Sequence, residues 1–437
     1  MLAAMAERAK SFWLETLGCK ANQYDSQRLG RALTDLGWRP AAGPEGADLI
    51  LVNTCAVTAE AGRKSRQHLR RALRRGAGTR VVATGCLVAF NRLTGEELPP
   101  EVLALAGGAR EEEMGELLAR LGHPGAGPPA TIAAFRGRTR AFLKAQEGCD
   151  NHCTYCIIPR LRGPSCSRPL AAILAEAEGL IAGGVPELVL TGVCLGDWRE
   201  GKSRIPDLVA ALAALPGDFR LRLSSLEPEH CDPELLAAMA SPKVCPHLHL
   251  PLQSGADPVL RRMGRKYVRE DFLELVAAAR RTLAEPALTT DVILGFPGEE
   301  EEHFAQTLEV LARAAPVRTH LFPYSPRRGT AAARLEERVP LPVLRARAEA
   351  ARRLTGALAR AAARERIGRR EEVVLEGRNR GWSGRYQRVR VAGPPRPSGW
   401  RLAVEITAVA GEELVGRPCG EPGPTGEKPS GDPGPGA

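Results

Sequence analysis

Between residues 142 and 322 one pattern recurs: a short apolar run, then a longer amphipathic stretch. The runs Phe142 to Ala145, Leu188 to Leu190, Leu221 to Leu223, Leu248 to Leu250, Leu288 to Leu294 and Thr319 to Phe322 are predicted strands. Ala171 to Ile181, Asp271 to Leu283 and Glu300 to Ala314 are predicted helices between them. Parallel strands need a long crossover, usually a helix, so this alternation dictates a parallel sheet. Six units fall short of the eight that close a barrel, which predicts a partial (β/α)6 barrel, open on one side. An open side suits a macromolecular substrate.

The flanking segments read differently. Phe12 to Leu17, Asp48 to Val52 and Arg80 to Ala83 are predicted strands, with helices over Asp25 to Leu36 and Ala59 to Arg74. That is a small open α/β domain with a parallel sheet, spanning residues 10–130. Gly122 to Ala130, rich in Gly and Pro, marks a linker. The barrel domain follows over residues 138–366, ending in an Arg-rich helical stretch from Pro342. Within residues 367–416 the short runs Val373 to Leu375, Arg388 to Val391 and Val404 to Ile406 predict a small β-barrel. From Arg417 to Ala437 the Gly/Pro/polar composition predicts a disordered tail. The fold class is therefore α/β with three units.

Length and composition agree with several buried cores: 437 residues, 43% of them apolar. No apolar run is long enough to span a membrane. Glu7, Arg8 and Lys10 interrupt what would be a signal's apolar core, so a cytoplasmic protein with no membrane partner is expected. Sixty-one basic against 51 acidic residues leave a net charge of +10, which favours a polyanionic partner without naming one.

Eleven cysteines in a reducing compartment point to metal ligation where they cluster. Cys149, Cys153 and Cys156 have the spacing C-x3-C-x2-C directly after the first barrel strand. Three thiolates on one tight loop can hold three irons of a [4Fe–4S] cluster and leave the fourth iron open. A structural zinc would want a second cysteine pair, and none lies near; His152, in the same loop, is poorly placed to complete a site. Cys19, Cys55 and Cys86 each follow a predicted strand of the first domain. Parallel strands deliver their C-terminal ends to one edge, where open α/β sheets bind ligands, so these cysteines are expected to converge on a second three-ligand cluster. Cys231, Cys245 and Cys419 are isolated and receive no role.

The segments Thr16 to Asp25, Asn53 to Val57, Cys149 to Cys156, Ser224 to Pro228, Pro251 to Gly255 and Phe322 to Pro326 together resemble the radical-SAM methylthiotransferases. The likeness runs over residues 10–416. It implies an N-terminal methylthiotransferase domain with an auxiliary [4Fe–4S] cluster, a central radical-SAM domain, and a C-terminal TRAM domain that binds RNA. Gln23-Tyr24, with Phe322 to Pro326, is most similar to the enzymes acting on N6-threonylcarbamoyladenosine beside the tRNA anticodon. The isopentenyladenosine branch usually shows Gln-Met after the first cysteine, and the ribosomal-protein aspartate branch Pro-Lys. Three positions depart from the family pattern: Cys194 where His is usual, Cys166 and Pro164 within an Arg-rich stretch, and Leu87-Val88-Ala89 after Cys86.

The resemblance further implies that S-adenosyl-L-methionine binds the open iron of the Cys149/Cys153/Cys156 cluster and is cleaved by one electron. The auxiliary cluster would hold the sulfur to be transferred. A low-potential electron donor and a sulfur source are implied partners, besides tRNA. Tyr155 is a candidate wall against the cofactor's adenine; Gly192, Glu227 and Gln253, after the second, third and fourth barrel strands, are candidates for its cradle. Arg378, Arg380, Arg385, Tyr386 and Arg388 mix cations with an aromatic, as single-stranded nucleic-acid binders do. The contrasting expectation is an iron–sulfur RNA-binding protein without turnover.

Overall fold

Leu49–Thr54 is apolar on both faces and fully buried, which makes it the central strand of the first domain. In the computed structural model, which describes residues 10–75, 78–105, 111–127, 131–132 and 138–420, it pairs in parallel with Ser11–Thr16 and Arg80–Gly85. Arg39–Pro40 and Val102–Ala104 complete a five-stranded parallel sheet. Alternation along the central strand supplies one core on each face. Leu49 and Leu51 pack with Phe12, Leu29 and Leu33, while Ile50 and Val52 pack with Leu69, Val81 and Leu87.

The six barrel strands are Arg140–Lys144, Glu187–Thr191, Arg220–Leu223, His247–His249, Ala287–Leu294 and Arg318–Pro323. They form two three-stranded sheets, every pairing parallel, joined by the bridges Leu221 to Val244 and Ser225 to His249. No ladder joins the sixth strand to the first among the described residues, so the barrel is open there, as expected. The first domain lies over the gap. Its helix Lys20–Asp35 packs along the first barrel strand, where Tyr24 Oη donates to Glu176 at 3.0 Å. Its helices Ala59–Arg74 and Cys86–Thr94 meet the segment after the sixth strand: Ala59 N donates to Ser325 Oγ at 3.3 Å, and the Arg327 guanidinium sits 3.6 Å over the Phe90 ring.

Helix Leu341–Arg364 leads into a closed five-stranded barrel built from Arg370–Gly377, Arg380–Ser383, Arg388–Val391, Arg401–Ala410 and Glu413–Pro418. Arg417 and Pro418, assigned to the tail by composition, belong to the last strand and pair with Glu405 and Val404. Residues 421–437 and the linker residues 128–130 lie outside the described residues.

The small barrel docks under the N-terminal ends of the large barrel's strands. Arg220 donates to the carbonyls of Glu372 and Trp382, and Arg222 to those of Ser383 and Gly384. Both arginines are buried and share the fully buried Glu187, at 2.6 Å from Arg220 Nε and 2.8 Å from Arg222 Nε. Burial alone would raise the Glu187 pKa, but Arg220, Arg222 and Arg140 outweigh it and hold the carboxyl well below the usual range. Glu187→Gln removes the shared anion and leaves buried cations uncompensated, so it is expected to destabilise the fold by about 3–5 kcal/mol, read from denaturant unfolding.

Candidate active site: two cysteine triads and the seam between them

The three loops that carry the first domain's cysteines are packed together. Cys19 immediately precedes the helix Lys20–Asp35, Cys55 follows the central strand, and Cys86 opens the helix Cys86–Thr94. Close approach of the three loops requires glycine twice. Gly18 sits at φ +100°, and a side chain there would come within 2.9 Å of Cys55 Cβ; Gly85, at φ +86°, would meet Asn53 Oδ1 at 2.4 Å. Asn22 ties the loops together, donating to the Leu17 carbonyl at 2.7 Å and the Thr54 carbonyl at 2.9 Å. Cys19 and Cys86 lie at helix N-termini, where free N–H groups favour an anionic sulfur. Burial works the other way, pushing the Cys86 thiol up to about 11 despite the nearby Arg162, and raising Cys55 as well. Such thiols ionise readily only against a cation, so metal binding here releases protons.

Cys149, Cys153 and Cys156 sit on the loop after the first barrel strand, at the mouth where such barrels build their sites. Gly148, at φ +71°, runs so close to the Pro164 carbonyl that a Cβ would lie 2.0 Å from it. Thr154 pins the loop to the end of the fourth unit, with its N donating to Met263 O at 2.9 Å and its hydroxyl to Arg262 O at 2.8 Å. Burial pushes the Cys156 thiol up to about 12 and raises Cys153, against the Arg265 guanidinium that donates to Cys153 Sγ at 3.4 Å. Each set offers three sulfurs. The donor chemistry of both fits a cluster that takes three thiolates and keeps one iron open.

The two sets are mechanically joined. Ile157, the residue after Cys156, and Leu161 lie in the same apolar cluster as Cys86, Leu87 and Phe90 of the first domain. Arg162 ends the short helix Ile158–Arg162 and reaches Asn22 between the cysteine loops of the first domain. It also donates to Glu147 at 2.6 Å, and Glu147 accepts from Lys144 at 2.8 Å. Lys144 in turn pairs with Asp25. Burial would raise the Glu147 pKa, but Lys144 and Arg162 overcome it and bring the carboxyl down to about 2. The seam between the domains is thus a buried network of ion pairs running from one cysteine set to the other.

The expected cradle residues fall around the barrel mouth. Glu227 pairs with Arg265, the cation on Cys153. Gln253 adopts φ +59° and extends the fourth strand irregularly, its N donating to Asp291 O at 2.8 Å and its carbonyl accepting from Ile293 N at 2.9 Å. Gly192 lies over Gln146, whose Oε1 would be 3.0 Å from any Cβ placed there. Tyr155 packs edge-on to Phe296, with ring centroids 6.4 Å apart. Cys194, the departure from the family pattern, lies beside Cys149 within 4.8 Å, and Asn151 Nδ2 is 3.7 Å from its sulfur. Hydrogen bonding to Cys194 lowers the Cys149 pKa and raises that of Cys194. Cys166 is exposed on the Cys166–Ser167 strand.

Arg265, Arg162 and Asp25 were not legible as site residues. Their partners lie far away in sequence, and a lone arginine in an Arg-rich chain carries no spacing signal. Tyr24, one of the residues that carry the resemblance, is a buried bridge to Glu176.

On the small barrel, Arg378, Arg380 and Arg388 are exposed. Arg380 pairs with Glu413 at 3.1 Å, and Arg388 stands 5.6 Å from the Trp382 ring centre. Arg385 and Tyr386 lie in the docking seam instead. Arg385 donates to the Glu285 carbonyl at 2.9 Å; Tyr386 stacks at 4.7 Å on both His247 and Trp382.

Residues 143–311 match the Radical SAM superfamily, and residues 11–107 the uncharacterized protein family UPF0004. The chain is 36% identical over 375 residues to the threonylcarbamoyladenosine tRNA methylthiotransferase MtaB of Chlamydia pneumoniae, covering 85% of this chain and 88% of that one. It is 35% identical to the MtaB of Bacillus subtilis, over 74% of this chain and 75% of the relative. At 35% it also matches the tRNA-2-methylthio-N(6)-dimethylallyladenosine synthase of a Parafrankia species, with 86% and 80% covered. Among solved structures, the radical S-adenosylmethionine methyltransferase TsrM of Kitasatospora setae shares the fold at a TM-score of 0.54 and 16% identity, over 74% of this chain and 77% of that chain. With two cysteine triads, a partial six-stranded barrel and a terminal β-barrel in one chain, and relatives matched across most of its length, this protein belongs to the radical-SAM tRNA methylthiotransferase family, whose chemistry uses S-adenosylmethionine and [4Fe–4S] clusters.

Proposed function

We propose that this enzyme adds a methylthio group to C2 of N6-threonylcarbamoyladenosine next to the anticodon of tRNA. The observation that carries this reading is the packing of the two cysteine-bearing loop sets against each other through one seam. Cys149, Cys153 and Cys156 would hold the cluster that binds S-adenosylmethionine, and Cys19, Cys55 and Cys86 the auxiliary cluster. When bound, these groups supply one-electron cleavage and a transferable sulfur, which suit a C–H bond that no side-chain base could deprotonate usefully.

The chain's own residues position and shield. Arg265, held by Glu227, puts a cation over Cys153 and stabilises its thiolate. Gly192 and Gln253 border the mouth, where the polar end of the cofactor would lie, and Tyr155 with Phe296 gives an apolar wall for its adenine. No side chain is assigned a proton transfer. The choice of threonylcarbamoyladenosine over isopentenyladenosine is supported by the MtaB relatives and by Gln23-Tyr24. A low-potential electron donor and a sulfur source complete the reaction in the cytoplasm; among the described residues no helix is long and apolar enough to cross a membrane.

Nucleoside mass spectrometry of tRNA from a deletion strain tests the assignment: 2-methylthio-N6-threonylcarbamoyladenosine should disappear and its unthiolated precursor accumulate. An unchanged nucleoside profile would remove it. For RNA contact, Arg378, Arg380 and Arg388 support the TRAM reading by their exposure. Changing all three to Gln is expected to weaken tRNA binding and flatten its salt dependence, by up to about 0.9 in log–log slope for each phosphate no longer neutralised. An unchanged slope would return that face to ordinary solvation. Arg385 and Tyr386, placed in the seam, are expected to affect stability before RNA affinity.

A further inference from the structure

Barrel strands buried on both faces are normally near-continuous hydrophobic runs, yet the fourth, fifth and sixth strands here carry His249, Asp291 and His320. Their ligand atoms lie within 4.8 Å of one another. The Asp291 carboxylate contacts His320 Nδ1 at 2.9 Å and His249 Nε2 at 3.3 Å, and His249 Nδ1 is 2.8 Å from Thr289 Oγ1. All three residues are only half-buried, so they border open space rather than a filled core.

Lys20 enters the same space from the other domain. It follows Cys19 at the start of the helix that covers the barrel's open side. Its electrostatic neighbours are Arg140 on the first strand, Arg222 on the third and Asp291 on the fifth. These charges, with the packing of its helix on the first barrel strand, place Lys20 on the side of that helix that faces the barrel. Arg222 and Arg140 already answer to Glu187, and Asp291 to two imidazoles. Among the described residues, the Lys20 ammonium has no hydrogen bond or ion pair. At the rim, Phe322 is 46% exposed, with its ring centroid 6.3 Å from that of His320.

We propose that Lys20, together with His249 and His320 oriented by Asp291, binds the acidic substituent on N6 of the target adenosine, and so selects a carboxylate-bearing base over a prenylated one. The inference rests on the substrate reading above and names the residues that enforce it. A carboxylate gives Lys20 a charge-assisted partner, and a hydroxyl on the same substituent can meet an imidazole nitrogen. A prenyl group would seal the lumen over an unpaired ammonium, which disfavours it by the missing partner rather than by shape. Phe322 offers the base itself a flat apolar face as it enters.

The test uses reconstituted holoenzyme and three anticodon stem-loops, carrying N6-threonylcarbamoyladenosine, its threonyl amide, or N6-isopentenyladenosine. The wild type is expected to favour the acid over the amide by about tenfold or more in kcat/KM, the effect of one hydrogen bond to a charged group. In Lys20→Met, at iron content equal to wild type, that preference should collapse through KM, while Lys20→Arg should keep part of it. Because Lys20 adjoins Cys19, His320→Leu provides a second variant, remote from both cysteine sets in sequence; it should lose affinity for the acid stem-loop in fluorescence anisotropy. Asp291→Asn, a change at a positioning residue, should raise KM more than it lowers kcat. If Lys20→Met and His320→Leu both keep the wild-type preference for the acid, this inference fails while the substrate reading stands. If the wild type thiolates only the isopentenyl stem-loop, both fail.

Discussion

Replacing Cys19, Cys55 or Cys86 singly by Ala is expected to yield 5′-deoxyadenosine without methylthiolated adenosine. The two cysteine sets lie on different domains, so losing a thiol from one leaves the other's three donors in place. Cys55 and Cys86 are buried, but the side chain removed is small, so the fold should persist with a modest loss of stability. What is lost is a ligand at a site where Gly18, Gly85 and Asn22 have already brought three loops together. The expected phenotype is uncoupled: about half the iron, continued cleavage of S-adenosylmethionine, and no sulfur transfer. Both products are measured in one sample by mass spectrometry. Normal methylthiolation in these variants would reduce the three cysteines to thiols with no ligating role.

The complementary change is larger. With Cys149, Cys153 and Cys156 all replaced by Ala, anaerobic reconstitution is expected to fall from about eight irons per chain to about four. Formation of 5′-deoxyadenosine should stop altogether, and methylthiolation with it. Arg265 and Glu227 would remain paired at the mouth, so the loss reports ligation rather than collapse of the barrel. Full iron content in this variant would contradict the assignment of the loop.

Much of this was legible in the sequence because the relevant physics is local. Buried parallel strands read as apolar runs, and Leu49–Thr54 or Ala287–Leu294 stand out for that reason. The cysteines of the first domain could be gathered without knowing the fold in detail, since parallel strands end on one edge. The strands Arg380–Ser383 and Glu413–Pro418 escaped notice because they are short, polar and interrupted by glycine. The docking of the small barrel was also invisible. Arg220 and Arg222 look like the solvated side of an alternating strand, yet carbonyls more than 150 residues away receive them. The same docking takes Arg385 and Tyr386 away from the open basic face. His249, Asp291 and His320 did carry a signal, polar side chains on strands that should be apolar, and it is informative only once the lumen is known to exist.

The two cysteine sets are expected to act together on one tRNA base. The most direct test combines the anaerobically reconstituted protein with S-adenosylmethionine, a low-potential reductant and tRNA bearing N6-threonylcarbamoyladenosine, followed by nucleoside mass spectrometry. The expected result is 2-methylthio-N6-threonylcarbamoyladenosine formed along with 5′-deoxyadenosine. Sustained formation of 5′-deoxyadenosine with the tRNA nucleosides unchanged, in protein carrying about eight irons, would contradict joint action of the two sets.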